Sequence, residues 1–155
     1  MKFDFETIIS NIKRQNYRYI GSGSGRQVFD LGNGYVVKVA KNRKGIAQNK
    51  AEYQISLIDN TNLFAKVEQV SQDFILLIME KAERVKKISD VWRYFHIHSN
   101  KQLFQIELLK EISAAHDLLL SDLTRASNWG IIGGDYVVID YGFTRKVKKR
   151  YYSIF

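Results

Sequence analysis

An α+β domain, with an antiparallel sheet and helices segregated from it, is the fold class that these 155 residues predict. Three observations carry this expectation. Helical spacing of apolar residues near the N-terminus gives way to strand-like runs at Tyr17. The turn signals "GNG" (Gly32 to Gly34) and "GGD" (Gly133 to Asp135) each join two such runs as a hairpin, which makes the strands antiparallel. The order of elements is one helix, three strands, a helix, two strands, two helices and a hairpin, so strands and helices do not simply alternate.

Residues 4 to 16 read as a helix, because Phe5, Ile8, Ile9 and Ile12 follow the i, i+3, i+4, i+7 stripe. Tyr17 to Ile20, Val28 to Leu31 and Tyr35 to Lys41 read as strands. Residues 46 to 58, "IAQNKAEYQISLI", return to helix. Phe64 to Val70 and Phe74 to Met79 are two more strands around the turn "SQD". Residues 88 to 98 form a helix with Ile88, Val91, Trp92 and Phe95 on one side, a stripe that reads as core. A long helix over 101 to 120 keeps Phe104, Leu108, Ile112, Ala115 and Leu119 in register. Trp129 to Ile132 and Tyr136 to Ile139 close the pattern as a hairpin.

The composition, 45% hydrophobic and 26% charged, is that of an ordinary globular protein. There is no cysteine, which excludes disulfides, zinc-thiolate sites and thiol nucleophiles and fits a cytoplasmic protein. No apolar run approaches the ~20 residues that cross a bilayer, and "MKFDFETIISNIKRQ" does not read as a signal peptide. Of the net charge of +8, five charges lie in "RKVKKR", Arg145 to Arg150. That basic tail is either a solvated end or a surface for an anionic partner such as a host protein, a lipid head group or a nucleic acid. Lys81, Arg84, Lys86 and Lys87 form a second basic cluster with the same two readings. His96 and His98 are two apart on a helix and point in different directions. They and the adjacent His116 and Asp117 read as surface or packing residues.

The stretch "YIGSGSGRQVF", Tyr19 to Phe29, clusters three glycines between two strands. Glycine loses more backbone entropy than any other residue on ordering. Either the turn is tight, or something approaches the backbone closely. A phosphate loop of the dinucleotide type needs a helix after the glycines. Here a strand follows, which favours a flap lying over phosphates. Gly21, Gly23 and Val28 fall on the first, third and eighth positions of G-x-G-x-x-G-x-V; the sixth is Arg26, with Gly25 one residue earlier. Ten residues after Val28 comes Lys38, in mid-strand on the same face as Val36. A lysine there is costly unless paired, and Glu52 in the next helix is its natural partner. "VVIDYG" puts Asp140 after an apolar strand, and "SNWG" puts Asn128 ahead of the same hairpin. An Asn and an Asp at the two ends of a hairpin offer oxygen ligands to magnesium.

In this combination the sequence resembles the protein-kinase-like superfamily, from about Tyr17 to Gly142. "GSGSGRQVFDLGNGYVVKVAKN" and "NWG…IDYG" are similar in particular to short kinase-like proteins of bacterial viruses and prophages. The resemblance implies a miniature two-lobed fold in a single domain spanning 1–155. Its parts would be an N-terminal helix over 1–16, a nucleotide lobe over 17–82 with a five-stranded antiparallel sheet and one helix, a truncated helical lobe over 83–142, and a basic tail over 143–155. It implies ATP and Mg²⁺. Gly21, Ser22, Gly23, Ser24 and Gly25 would cover the phosphates, and Lys38, tied to Glu52, would hold two of them. Val28, Val36 and Ile139 would sandwich the adenine, and Glu80 to Ala82 would act as the hinge that bonds it. Asn128 and Asp140 would hold the metal.

Two departures bear on activity. Family members carry H-R-D-L-x-x-x-N, or H-G-D in the small-molecule kinases, with the Asp five residues before the Asn. In "LLSDLTRASN", Asp122 stands six residues before Asn128 without a preceding His-Arg or His-Gly. Asp122 either orients the attacking hydroxyl or caps the end of the preceding helix or its turn. Thirteen residues follow Gly142 in this sequence, too few for the family's peptide-binding helices, which counts against peptide phosphorylation more than against nucleotide binding and leaves the acceptor open, a small or surface-presented one included. The expectation is a Mg-ATP-binding kinase-like protein. The alternatives are a pseudokinase that acts as a binding module for a host protein or nucleic acid, and a basic nucleic-acid-binding protein whose glycine turn is only a turn.

Overall fold

The computed structural model describes residues 3–152, and they divide into two compact units. The first comprises the chain up to Ile58 and Lys66–Lys81; the second comprises Asp59–Ala65 and the chain from Ala82 onward.

The first unit opens with helix α1 (Phe5–Lys13), started by Asp4, whose carboxylate accepts from the Glu6 N–H at 3.1 Å and the Thr7 hydroxyl at 2.6 Å. Strands β1 (Arg18–Ser22), β2 (Arg26–Asp30) and β3 (Tyr35–Ala40) follow. Helix α2 (Arg43–Ile58) leads to β4 (Val67–Val70) and β5 (Leu76–Glu80). The five strands form one antiparallel sheet in the order β1-β2-β3-β5-β4. The β2–β3 hairpin turns on Gly32 and Gly34 at φ 80° and 89°, conformations open to glycine, so "GNG" is spent on geometry.

Side chains alternate across the sheet, and its two faces have different work. Val37, Leu76 and Ile78 turn to one face, where Ile8 of α1 meets them in a core joined by Phe5, Ile12, Phe29 and Val39. Val36 and Lys38 turn to the other, together with Arg26 and Val28 across the ladder. Glu52 of α2 meets that second face. The apolar stripe read in residues 4 to 16 therefore covers one side of the sheet and leaves the other to Lys38.

The second unit holds β6 (Glu83–Arg84) and helices α3 (Ile88–Tyr94), α4 (Asn100–Leu103) and α5 (Glu107–Ala115). Two 3₁₀ turns, Leu120–Thr124 and Ala126–Asn128, precede β7 (Trp129–Ile132), β8 (Asp135–Val138) and helix α6 (Arg145–Tyr152). The strands form a three-stranded antiparallel sheet in the order β6-β7-β8. Trp129 and Tyr141 are among its most deeply buried side chains. The Trp129 indole donates to the Leu123 carbonyl at 2.9 Å, and the Tyr141 hydroxyl to the Ala65 carbonyl at 2.6 Å.

The α+β class and the five-stranded antiparallel sheet with its helix are as expected; several boundaries differ for physical reasons. Helix α2 starts at Arg43, not 46, because Asn42 caps it, accepting from the Gly45 N–H at 3.0 Å. Phe64, expected at the start of a strand, instead bridges Val138 in the second unit. The long helix expected over 101 to 120 is broken: α4 ends at Leu103, Ile106 is extended at ψ 119° ahead of α5, and Asp117 leaves the helical region at φ 58°. His96, at φ 60°, stands beyond the end of α3 and cuts short the helix expected over 88 to 98. The expected basic tail is helical over Arg145–Tyr152, started by Thr144, whose hydroxyl accepts from the Val147 N–H at 3.2 Å. The parts of the expected segments at 1–2 and 153–155 lie outside the described residues. Among the described residues, no helix is long and apolar enough to cross a membrane.

Candidate functional site

The glycine stretch joins β1 to β2, with Gly21 opposite Val28, Ser22 opposite Gln27, and an irregularity in the ladder between Tyr19 and Gly21. Its three glycines are not equivalent. A side chain at Gly25 would run into Gln48 Oε1 and the Gly45 backbone of α2, so this glycine allows strand and helix to approach closely. Side chains at Gly21 and Gly23 would meet nothing within 4 Å, and neither position has a left-handed φ. The turn is pinned from the segment after β3: the Lys41 N–H donates to the Gly25 carbonyl at 2.8 Å, and Asn42 Nδ2 to the Ser24 carbonyl at 3.1 Å. Lys41 Nζ donates to the Ser22 hydroxyl at 2.7 Å. Gly21, Ser22, Gly23, Ser24 and Gly25 thus stand as one anchored turn with an ammonium group at its side.

Lys38 is buried, and its Nζ lies 2.9 Å from Glu52 Oε1. Glu52 is fully buried, and Arg26 also engages it in two-pronged fashion, Nη1 to Oε1 at 2.7 Å and Nη2 to Oε2 at 2.9 Å. Arg26 Nη1 also donates to Asn49 Oδ1 at 3.0 Å. Burial pushes the Glu52 carboxyl up, but the charges of Arg26 and then Lys38, with their hydrogen bonds, outweigh it and bring it down to about 2. Glu52 is therefore ionised at neutral pH and shared by two cations. Arg26, the departure from glycine in the sequence pattern, is the residue that sequence reasoning passed over. Strand alternation was the available signal, since it puts Arg26 on the same face as Val28 and beside Lys38.

Val28 and Val36 flank Lys38 on that face; Val36 is buried and Val28 half-buried. Glu80 ends β5 opposite Tyr35, and burial raises its carboxyl from its ordinary value. Lys81 is tied to the β2–β3 hairpin by its N–H to the Gly34 carbonyl at 2.9 Å and its ammonium to Asp30 Oδ2 at 2.6 Å. Ala82 and Ile139 both lie in the second unit, against Gly130, where a larger residue would collide with both.

In the second unit the Ile139 N–H donates to the Asn128 carbonyl at 2.8 Å, extending the hairpin so that Asn128 and Asp140 stand at its open end. Asn128 Nδ2 donates to the Asp122 carbonyl at 2.7 Å, which commits the amide NH₂ and leaves its oxygen as the donor atom suited to a cation. Asp140 is exposed. One carboxylate and one amide oxygen fit Mg²⁺, which keeps several waters and takes further oxygens from substrate phosphates. Among the described residues no group of three or more His, Asp or Glu side chains is placed to hold a metal. Asp122 sits in the 3₁₀ turn Leu120–Thr124, and its Oδ1 accepts from Lys148 Nζ of α6 at 3.0 Å. Sequence reasoning missed Lys148 as an individual, because it read the whole basic run as one surface.

His96 and His98 are exposed and line a shallow cavity of about 490 Å³ with Trp92 and Arg93, which none of the predicted site residues line. Asp117 caps α6 through the Lys146 N–H at 3.0 Å. His116 packs edge-on against Phe64, its ring centroid 5.5 Å away.

The class that the fold defines is an α+β protein with a five-stranded antiparallel sheet bearing a buried lysine–carboxylate pair beside a glycine turn. No protein-family model matches the chain, and no curated protein matches it. Among solved structures it is similar to the ternary complex of APH(2")-IIa with streptomycin and ATP, at 19% identity and a TM-score of 0.49, covering 92% of this chain and 72% of that one.

Proposed function

We propose that the chain binds Mg-ATP and transfers its γ-phosphoryl group to an acceptor hydroxyl. The observation that carries this reading is Lys38: a lysine in mid-sheet, oriented by a fully buried Glu52, beside a turn where Gly21 and Gly23 leave room against the backbone. A buried ion pair is a poor device for stability alone, because desolvating the charges offsets their attraction. A fixed ammonium beside a glycine turn suits phosphoryl transfer, whose catalysis is mostly positioning and charge stabilisation.

In this reading Lys38 holds two phosphates, Gly21 to Gly25 cover them, and Val28, Val36 and Ile139 enclose the base. Glu80 and Ala82 offer it backbone hydrogen bonds. Asn128 and Asp140 hold Mg²⁺, which supplies charge neutralisation on the phosphates. Asp122 orients the acceptor hydroxyl. Thermal unfolding with and without millimolar Mg-ATP tests the reading. Wild type is expected to rise by several degrees, as a ligand that binds only the folded state requires, and Lys38→Ala to show no rise. No rise in the wild type would end the nucleotide reading.

A second reading, a pseudokinase that binds partners, is favoured by the missing His-Arg or His-Gly ahead of Asp122. Its partner surface would be the exposed cations of α6: Arg145, Lys146, Lys149 and Arg150. It predicts the thermal rise without any release of ADP, and partner binding that weakens steeply with salt if the partner is a nucleic acid.

A further inference from the structure

We infer that Lys148 is a positioning residue for Asp122, so that the C-terminal helix is a working part of the phosphoryl-transfer site. The inference rests on Asp122 being the group that orients the acceptor. Four observations lead to it, all within the second unit.

The first is the contact itself. Lys148 Nζ donates to Asp122 Oδ1 at 3.0 Å, and both side chains are mostly shielded, 24% and 19% exposed. The second is that the ammonium is held from a second direction, 4.6 Å from the centroid of the Phe143 ring. The third is that α6 is fastened to the chain just ahead of the Asp122 turn. The Arg145 N–H donates to the Asp117 carbonyl at 2.8 Å, the Lys146 N–H to Asp117 Oδ2 at 3.0 Å, and Val147 is buried. Asp117 stands at φ 58°, a left-handed conformation that Asp tolerates better than most residues. The helix is thus anchored at Asp117 and reaches back to Asp122. The fourth is the backbone of Asp122, whose carbonyl accepts from Asn128 Nδ2 at 2.7 Å.

Carbonyl and carboxylate of Asp122 are therefore held by different partners. With Oδ1 occupied by Lys148, Oδ2 is the oxygen that an acceptor hydroxyl would meet. This answers the six-residue spacing between Asp122 and Asn128. An extra residue in the loop would let the carboxylate wander; an ammonium from elsewhere in the chain aims it. A loose phosphoryl-transfer transition state asks for orientation of the attacking group more than for basicity.

The test is a double-mutant cycle on ADP release from Mg-ATP, with water as acceptor, using the full chain. Lys148→Met keeps the apolar stem and removes the charge. It is expected to lower kcat about tenfold or more, because small misplacements of a reacting group are costly. KM for ATP is expected to stay within about twofold, since the change touches orientation rather than nucleotide contacts. Lys148→Arg, which keeps the charge and some reach, is expected to restore most of the rate. In an Asp122→Asn background, Lys148→Met is expected to add no further loss, since the two act as one unit. Melting temperatures of all variants, recorded alongside, show that α6 stays docked. Wild-type turnover in Lys148→Met, a rise in turnover, or an equal loss in both backgrounds would each overturn the inference while leaving Asp122 in place. Unchanged turnover in Asp122→Asn, or no turnover in the wild type, would overturn the reading of Asp122 and the inference with it.

Discussion

In the first unit, Lys38 rises from the middle of a sheet and ends on a carboxylate with no solvent exposure, which two further bonds from Arg26 hold in place. In the second, Asp122 rides on a five-residue 3₁₀ turn, and its carboxylate, a fifth exposed, is met by one lysine from a distant helix. The first arrangement is over-determined. Sheet register sets Lys38, helix packing sets Glu52, and Arg26 and Asn49 lock the two together. The second depends on chain segments far apart in sequence, with few bonds each. The difference teaches that the two ends of the proposed chemistry are stabilised by different physics: a buried charge network at the nucleotide end, and capping with partly screened pairs at the acceptor end.

The sharpest way to break this comparison is to remove each carboxylate in turn. Glu52→Ala leaves Arg26 and Lys38 without their shared partner in a buried setting and should cost roughly 3–5 kcal/mol. Asp122→Ala should cost about 1 kcal/mol or less, as partly exposed pairs do. Urea denaturation measures both; equal losses would mean that the two networks are not different in kind.

Acid sharpens it further. The Glu52 carboxyl lies at about 2 in the folded protein against an ordinary value of 4.5, so the folded state holds this proton more weakly than the unfolded chain. Its contribution is fully present above the ordinary value and is lost as pH falls from about 4.5 toward 2. It should amount to a few kcal/mol, on the order of 3. Urea midpoints across that window should fall more steeply for wild type than for Glu52→Gln; parallel curves would mean that the buried carboxylate is not the acid-labile element.

The glycine turn offers a smaller, paired contrast. Gly25→Ala puts a methyl group against Gln48 and the Gly45 backbone and should destabilise by about 1–3 kcal/mol, as overpacking does. Gly23→Ala meets nothing and should change the unliganded stability by no more than about 0.5 kcal/mol. If the turn is a phosphate flap, Gly23→Ala should nevertheless shrink the thermal rise with Mg-ATP. An unchanged rise would reduce the glycine to a turn residue.

Much of the first unit was legible in the sequence, because its determinants are local. Alternation along β3 told which face Lys38 would share with Val36, and the spacing in α2 offered Glu52 as a partner. Less of the second unit was legible. The helix read over 101 to 120 is interrupted between α4 and α5, where Ile106 is extended, and it stops short of Asp117, which is left-handed and caps α6; a helical period carries no sign of either. The basic run at 145 to 150 looked like a single charged surface. In the fold one face of it stays in solvent, while Val147 is buried and Lys148 turns inward to Asp122.

By itself, the sequence determined the α+β class, the antiparallel hairpins and the candidate residues, since hydrophobic period, glycine punctuation and the cost of a lysine in an apolar strand are local properties. Only the tertiary structure decided that Gly25 serves packing while Gly21 and Gly23 do not, that Arg26 shares Glu52 with Lys38, and that Lys148 holds Asp122. Each of these is a contact between segments distant in sequence, set by how helices seat on sheets and by which groups burial forces to find partners.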